Sequence, residues 1–365
     1  MSLLDKMLKS GNIKSASVLS KSSFFNAKEV IPTDLPILNI AFSGSLDGGL
    51  LPGLTVVAGA SKSFKTMLSL YCMKAYLDKY KDSVAILYDS EFGITPDYIQ
   101  SFDIDIDRVI HIPIENVEQL KFDIVQRLGE IEKKDKVFIM IDSIGNLASK
   151  KEVEDAENEK SVADMSRAKS LKSLFRIITP HLTTRQVPCL AINHIYQEIG
   201  MFPKNIVSGG TGIYYSANQI FIITKAQEKT GTELAGFKFT INIEKSRYVR
   251  EKAKLPFTVY YEGGIQKWSS LFDFAQEAGF VIKPKVGWFQ TVDPDTGEIS
   301  EKSYRAKDLQ SNDEYFERLT KHKDFKEFIE QKFKLAPGTG GQKDVADEDF
   351  LEVADDYDID NGDEV

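Results

Sequence analysis

Apolar residues fall along this chain in two alternating rhythms. Short apolar runs occupy 54–58, 84–89, 108–112, 136–142 and 188–193, and they predict strands. Between them, apolar positions recur at helical spacing over 65–80, 117–132 and 165–184. Strands alternating with helices of this length predict an α/β fold, a mostly parallel sheet with helices on both faces. Past Tyr215 the texture changes. Segments 218–224, 237–244 and 256–261 read as strands separated by Gly- and charge-rich turns, which predicts an antiparallel extension of the sheet. A smaller α/β unit follows over 266–334, helical at 271–278, strand-like at Gly287-Trp288-Phe289, and helical again at 312–321 and 324–334. The pattern divides the chain into an N-terminal segment 1–30, a core 31–265, a small domain 266–334, and a linker with a tail, 335–365.

One junction in this pattern carries recognisable chemistry. The first core strand ends at Ala58, and Gly59-Ala60-Ser61-Lys62-Ser63-Phe64 leads into a helix opened by Lys65-Thr66. Strand, loop and helix in that order form a phosphate-binding loop, in which backbone N–H groups and a helix N-terminus converge on one point. Lys65 adds a mobile positive charge, and the Thr66 hydroxyl can take one position on magnesium. Phe64 stands where the usual pattern has a second Gly. A left-handed backbone is unfavourable for Phe, so the expectation is a loop that turns with φ below zero there.

Charge and cysteine usage narrow the setting. The net charge of −9 is concentrated in a tail: 344–365 holds eleven acidic residues and no Lys or Arg. Without it, 46 basic residues face 44 acidic ones, so the body does not exclude a nucleic-acid partner. The tail is expected to be disordered and solvated. It would either compete with DNA for basic loops, or serve solubility or the docking of an accessory protein. Cys72 and Cys189 lie in apolar patterns and read as reduced core residues of a cytosolic protein. His111, His181, His194 and His322 are dispersed, which speaks against a His-based metal cluster. No signal peptide and no apolar run of membrane-spanning length is visible, so the expected location is the cytoplasm.

Further candidates sit at strand ends. Asp142 closes an apolar strand and can either hold magnesium through a water or cap the next turn. Glu91, just beyond another strand, could orient and deprotonate a water. Two loops would open on the same sheet edge, 149–164 with Lys150 and Lys151, and 195–212 with Met201, Phe202, Lys204, Gly209 and Gly210. Either they meet a sugar–phosphate backbone or they are surface loops with an apolar anchor. Lys245 and Arg247, two residues apart at a strand end, are either a solvated face or a clamp on a neighbour's phosphate. Phe24 and Phe25 either cap the core or dock into an adjoining subunit.

Together these residues resemble the RecA-type recombinases, in the branch carried by T-even bacteriophages. The resemblance covers nearly the whole chain, and its specific segments are Ala60–Lys65, Tyr88–Pro96, Ile141–Lys151 and Ile243–Arg247. The phage branch carries Phe at the position of Phe64 as well. The resemblance implies a P-loop ATPase core and an ATP- and magnesium-dependent filament on single-stranded DNA. That filament would pair homologous duplex DNA and exchange strands, with a single-strand-binding protein and a recombination mediator as partners, in the cytoplasm of the host cell. By position it implies that Lys65 and Thr66 bind phosphates and magnesium, with Asp142 as the metal-side acid and Glu91 as the base. Tyr98 would stack on adenine, and Asn193-His194 would sense the γ-phosphate, where bacterial members have Gln in place of His194. Lys245 and Arg247 would reach a neighbour's ATP, with Arg250 and Lys252 as competitors. Arg167 and Ser170 would lie at the exit of the first DNA loop, and the second loop would span 195–209. A hexameric DNA helicase on the same core is the alternative, and a small-molecule kinase a third reading.

Overall fold

The computed structural model describes residues 2–13, 16–22, 29–132, 134–158, 166–198, 205–230, 233–261 and 264–335, with backbone alone over 227–230 and 233–235. Phe24, Phe25, Met201, Phe202, Lys204 and the acidic tail lie outside the described residues. Strands run β1 (Gly53–Gly59), β2 (Val84–Asp89), β3 (Val109–Pro113), β4 (Val137–Asp142), β5 (Pro188–Asn193), β6 (Ile195–Gln197), β7 (Asn205–Val207), β8 (Gln219–Thr230), β9 (Glu233–Ser246), β10 (Lys254–Tyr260), β11 (Gly264–Ile265), β12 (Val281–Lys285) and β13 (Trp288–Thr291). Helices are α1 (Leu3–Ser10), α2 (Pro36–Ser43), α3 (Lys65–Lys79), α4 (Pro96–Gln100), α5 (Val117–Glu130), α6 (Lys150–Glu157), α7 (Ser166–Arg185), α8 (Thr211–Ser216), α9 (Ser269–Glu277), α10 (Ala306–Gln310), α11 (Asp313–Leu319) and α12 (Lys323–Phe333).

Nine strands form one sheet in the order β11-β10-β9-β8-β1-β5-β4-β2-β3. From β8 to β3 every pairing is parallel, and β8, β9, β10 and β11 continue it antiparallel, as the change of texture after Tyr215 predicts. Alternation along the strands splits the core between the two faces. On β4, Val137, Ile139 and Ile141 pack with Leu120, Ile124, Leu174 and Phe175 of α5 and α7. Phe138 and Met140 point the other way, into a cluster with α2, α3 and the aromatic residues of α9, α11 and α12. Residues through Leu335 form one compact unit. Cys72 and Cys189 are both buried and unpaired, and burial pushes both thiols up, Cys189 to about 12.

Several elements depart from the sequence pattern: the expected loop 195–212 contains the antiparallel pair β6–β7 and the first residues of α8, and two helices, α6 and α2, differ as well. The polar stretch after Ser149, read as the start of a loop, is helix α6. No buried face holds it. A capping box does, in which Ser149 accepts from Glu152 N–H and Glu152 accepts from the Ser149 N–H. Helix α2 has all but one of its residues buried, so it shows no amphipathic rhythm to read.

Candidate functional site

Parallel strands bring their C-terminal ends to one edge, and the loops that follow β1, β2, β4 and β5 meet there. Between them lies a cavity of about 470 Å³ lined by Ser61–Met67, Glu91, Tyr98, Asp142 and His194, among others. That volume is within the range of small-ligand sites.

The loop after β1 is held from both sides. A Cβ on Gly59 would sit 2.7 Å from Ser63 Oγ and 2.8 Å from the Ile223 carbonyl, so only Gly fits. The Lys65 ammonium is buried and donates to the carbonyls of Gly59 (3.2 Å) and Ala60 (2.8 Å) and to Ser63 Oγ (3.4 Å). Burial lowers its pKa, against the opposing pull of Glu91 and Asp142.

Phe64 overturns the expectation of a negative φ. It sits in the left-handed region at φ 58°, ψ 24°, and Lys62 does so too at φ 59°. The reason is tertiary. The Phe64 ring packs edge-on against Phe239 of β9, 5.1 Å between centroids, and joins the core beneath the sheet. A left-handed L-residue costs roughly 1–2 kcal/mol. An aromatic pair returns about 0.5–1.5 kcal/mol beyond the area it buries, which offsets that cost.

Thr66 Oγ1 donates to Asp142 Oδ2 at 2.7 Å, so the two groups expected on magnesium are already in contact. Burial pushes the Asp142 carboxyl up to about 6; the Thr66 hydrogen bond works against this, and the charges of Glu91 and Asp89 add to it. The folded chain therefore keeps this proton at pH values where the unfolded chain has lost it. Stability from this group falls as pH rises between about 4 and 6 and is level above that window. Asp142→Asn, neutral throughout, is expected to lack that slope. Paired urea unfolding of the two proteins across this range checks it, and parallel curves would refute it.

Glu91 is positioned by its neighbours. The buried Asp89 carboxylate accepts from the backbone N–H groups of Glu91 (3.0 Å) and Phe92 (2.8 Å) and faces His111 Nε2 at 3.2 Å. Three side chains then reach one oxygen of Glu91: Ser143 Oγ at 2.7 Å, Asn146 Nδ2 at 3.2 Å and His194 Nε2 at 3.1 Å, all on Oε1. His194 begins the second loop. Asn193 Nδ2 donates to the Ser208 carbonyl at 2.6 Å, and Ser208 N–H to the His194 carbonyl at 3.0 Å, so the base of that loop is tied shut. Gly209 and Gly210 follow at φ 101° and 78°, turning the chain into α8.

The first loop is tied in the same way. On α5, the Glu118 carboxylate accepts from Lys150 N–H at 2.8 Å and from the Ser170 hydroxyl. Lys150 and Lys151 are exposed on α6. The Arg167 guanidinium is turned inward onto backbone carbonyls, at 2.6–3.1 Å.

Lys245 and Arg247 are outside this cavity. Lys245 pairs with Ile220 near the start of β8, level with Val56 in the middle of β1, whereas the phosphate loop follows the end of β1. Three residues of strand, on the order of 10 Å, separate the two levels. The Lys245 ammonium donates to the Tyr214 carbonyl, and burial followed by Arg247 lowers its pKa. Arg247, Arg250 and Lys252 are exposed beside it. The far wall of the cavity was not read from the sequence. Lys225, Phe237, Tyr260 and Tyr261 come from β8, β9 and the end of β10, and Lys225 lies 3.5 Å from the Phe237 ring centre. Tyr98, 38 % exposed, faces the cavity from α4 with its ring against Phe102.

A twisted, mostly parallel sheet with a phosphate loop after its first strand, an acid ending β4 and an antiparallel extension is the RecA-type P-loop ATPase fold. Residues 4–266 match the family model for the RecA N-terminal domain, and residues 268–329 match that for the C-terminal domain of the bacteriophage T4 recombination and repair protein. The chain is 48 % identical to the "Recombination and repair protein" of Enterobacteria phage T4 over 337 residues, 91 % of this chain and 86 % of that one. It is 28 % identical to Protein RecA of Streptomyces ambofaciens over 261 residues, 70 % of this chain and 67 % of that one. With Protein RecA of Bifidobacterium breve the identity is 29 % over 280 residues, 75 % and 68 % of the two chains. The chain belongs to the RecA family of ATPases, as a phage-type recombination protein acting on DNA. Among the described residues no helix is long and apolar enough to cross a membrane.

Proposed function

We propose that this chain assembles on single-stranded DNA as an ATP- and magnesium-dependent filament, hydrolyses ATP when DNA is bound, and pairs and exchanges homologous strands. The observation that carries this reading is that Glu91 Oε1, in the phosphate-loop cavity, is reached by Ser143 and Asn146 ahead of the first loop and by His194 at the base of the second, at 2.7, 3.2 and 3.1 Å.

The residues present suit a nucleoside triphosphate with magnesium. The backbone N–H groups of Ala60–Phe64 and the start of α3 would hold the phosphates, with Lys65 as their counter-charge. Thr66 and Asp142 would hold the metal, Asp142 in its ionised form above its raised pKa. Bound magnesium would supply positive charge to the phosphate oxygens. Tyr98 would stack on the base. Glu91 would orient water and take its proton, and His194 would report the state of the phosphate end to the second loop. Lys245 and Arg247, set back along the sheet from the loop of their own chain, suit contact with the nucleotide of the next subunit. Arg250 and Lys252 lie close enough to share that task.

Assembly in turn has a ready surface. β3 is the edge of the sheet, with Ile110 41 % exposed, and Phe122 of neighbouring α5 is 70 % exposed. An open strand edge invites an added strand, and the segment with Phe24 and Phe25 is the proposed occupant, from a second copy. The DNA grip is assigned to Lys150, Lys151 and Ser170, to Met201, Phe202 and Lys204, and to Gly209-Gly210; Arg167, expected beside them, faces inward and is left out of it. Segments 1–30, 31–265, 266–334 and 335–365 are the proposed units, and a single-strand-binding protein and a mediator the proposed accessory partners.

The test is ATP turnover with and without single-stranded DNA. Stimulation by DNA is expected. Equal rates would remove the coupling, and closed rings that unwind duplex with one polarity would favour a helicase instead.

A further inference from the structure

Arg167 stands at the first turn of α7, directly after the first loop, yet its guanidinium faces inward. Nε donates to the Leu147 carbonyl at 2.6 Å, and one terminal nitrogen to the carbonyls of Ile144 (3.1 Å) and Gly145 (2.8 Å). These three carbonyls flank Asn146. The turn they belong to carries Ser143 and Asn146, two of the three donors on Glu91 Oε1. It also lies flat on His194: a Cβ on Gly145 would be 2.2 Å from His194 Cδ2. A planar fork bonded to three carbonyls fixes a turn in a way a point charge cannot. All side-chain donors on Glu91 from the described residues converge on Oε1, none of them reaches Oε2, and Glu91 lines the cavity.

We infer that Arg167 and Asn146 are positioning residues for hydrolysis: Arg167 fixes the 143–147 turn, and the turn aims Asn146 at Glu91 so that one carboxylate oxygen is anchored and the other is presented to water. The exit helix of the first loop thereby sets the geometry of the base. This rests on the assignment of Glu91 as the base and deepens it. It gives Arg167 a role other than direct phosphate contact.

The test uses the full chain with saturating single-stranded DNA. Asn146→Ala is expected to lower kcat for ATP about 10- to 100-fold, the loss that follows a misplaced reacting group. KM for ATP and the Kd for fluorescent oligodeoxythymidylate should stay unchanged. Arg167→Lys should show the same split. The double variant should be no slower than the slower single one, because both act through one contact. In a Glu91→Gln background neither substitution should slow turnover further. Asn146 is exposed, so its variant keeps the test available if Arg167→Lys fails to fold. Two results would overturn the inference. One is wild-type kcat for Asn146→Ala. The other is an Arg167→Lys protein that loses DNA affinity, has a shallower salt dependence and regains full kcat at saturating DNA, as a direct phosphate contact would. Wild-type turnover by Glu91→Gln alone would strike the base assignment itself, and so marks that failure apart.

Discussion

Lys65→Ala is expected to stop ATP turnover and, with it, nucleotide-dependent assembly on DNA. Lys65 is 7 % exposed, and its ammonium is the cation set between the loop carbonyls and the carboxylates of Glu91 and Asp142. Removing it leaves those carbonyls without their donor and the two acids without a counter-charge. It also takes away the charge that would balance developing negative charge on phosphate. Losing one such electrostatic group in a water-poor site typically costs about 100- to 1,000-fold in kcat. Nucleotide binding should weaken as well, because a ground-state contact is lost together with the later one. Phosphate release and light scattering on single-stranded DNA measure both effects. A variant with the parent's rate would remove the phosphate-loop assignment.

Glu91→Gln should separate binding from chemistry. Gln keeps an amide oxygen able to accept from Ser143, Asn146 and His194, so the network around Oε1 survives in outline. Its NH₂ then stands where a carboxylate oxygen would take a proton. Turnover is expected to fall about 10²- to 10⁴-fold, the usual contribution of a positioned base, with nucleotide affinity and DNA-bound filaments retained. Single-turnover hydrolysis beside equilibrium nucleotide binding tests the split. A normal rate would move the base elsewhere, and lost binding would show that Glu91 holds the loop rather than acts.

Much of the sheet is legible because the buried parallel strands are apolar at nearly every position before their last residue. The pattern at 84–89 and 188–193 matches β2 and β5 residue for residue. The phosphate loop, Asp142 and Glu91 are legible because each lies next to a strand end. What escapes is whatever depends on distant chain. Phe237 and Tyr261 reach the cavity from strands far along the sequence, and nothing local marks them. The backbone of Phe64 escapes for the same reason, since the ring that steadies it lies on β9. Arg167 reads as an exposed cation after a polar loop, and its inward turn follows only from three carbonyls some twenty residues earlier. Helix α6 is a different case. Its capping signature, Ser149 followed by Glu152, was present in the sequence. The absence of an apolar face masked it.

The anchored phenylalanine also bears on how the loop meets its ligand. Phe239, which holds Phe64, itself stacks on Phe257 of β10, 5.4 Å between ring centres. A loop built on Gly at this position samples both signs of φ, and each arriving phosphate has to still it. Here that freedom is removed once, as the chain folds, and the later event has less disorder to suppress. Nucleotide affinity and the cohesion of the antiparallel flank are therefore one linked quantity. A change that loosens the ring stack two strands away should be felt as a slacker hold on phosphate, even though it touches nothing in the cavity.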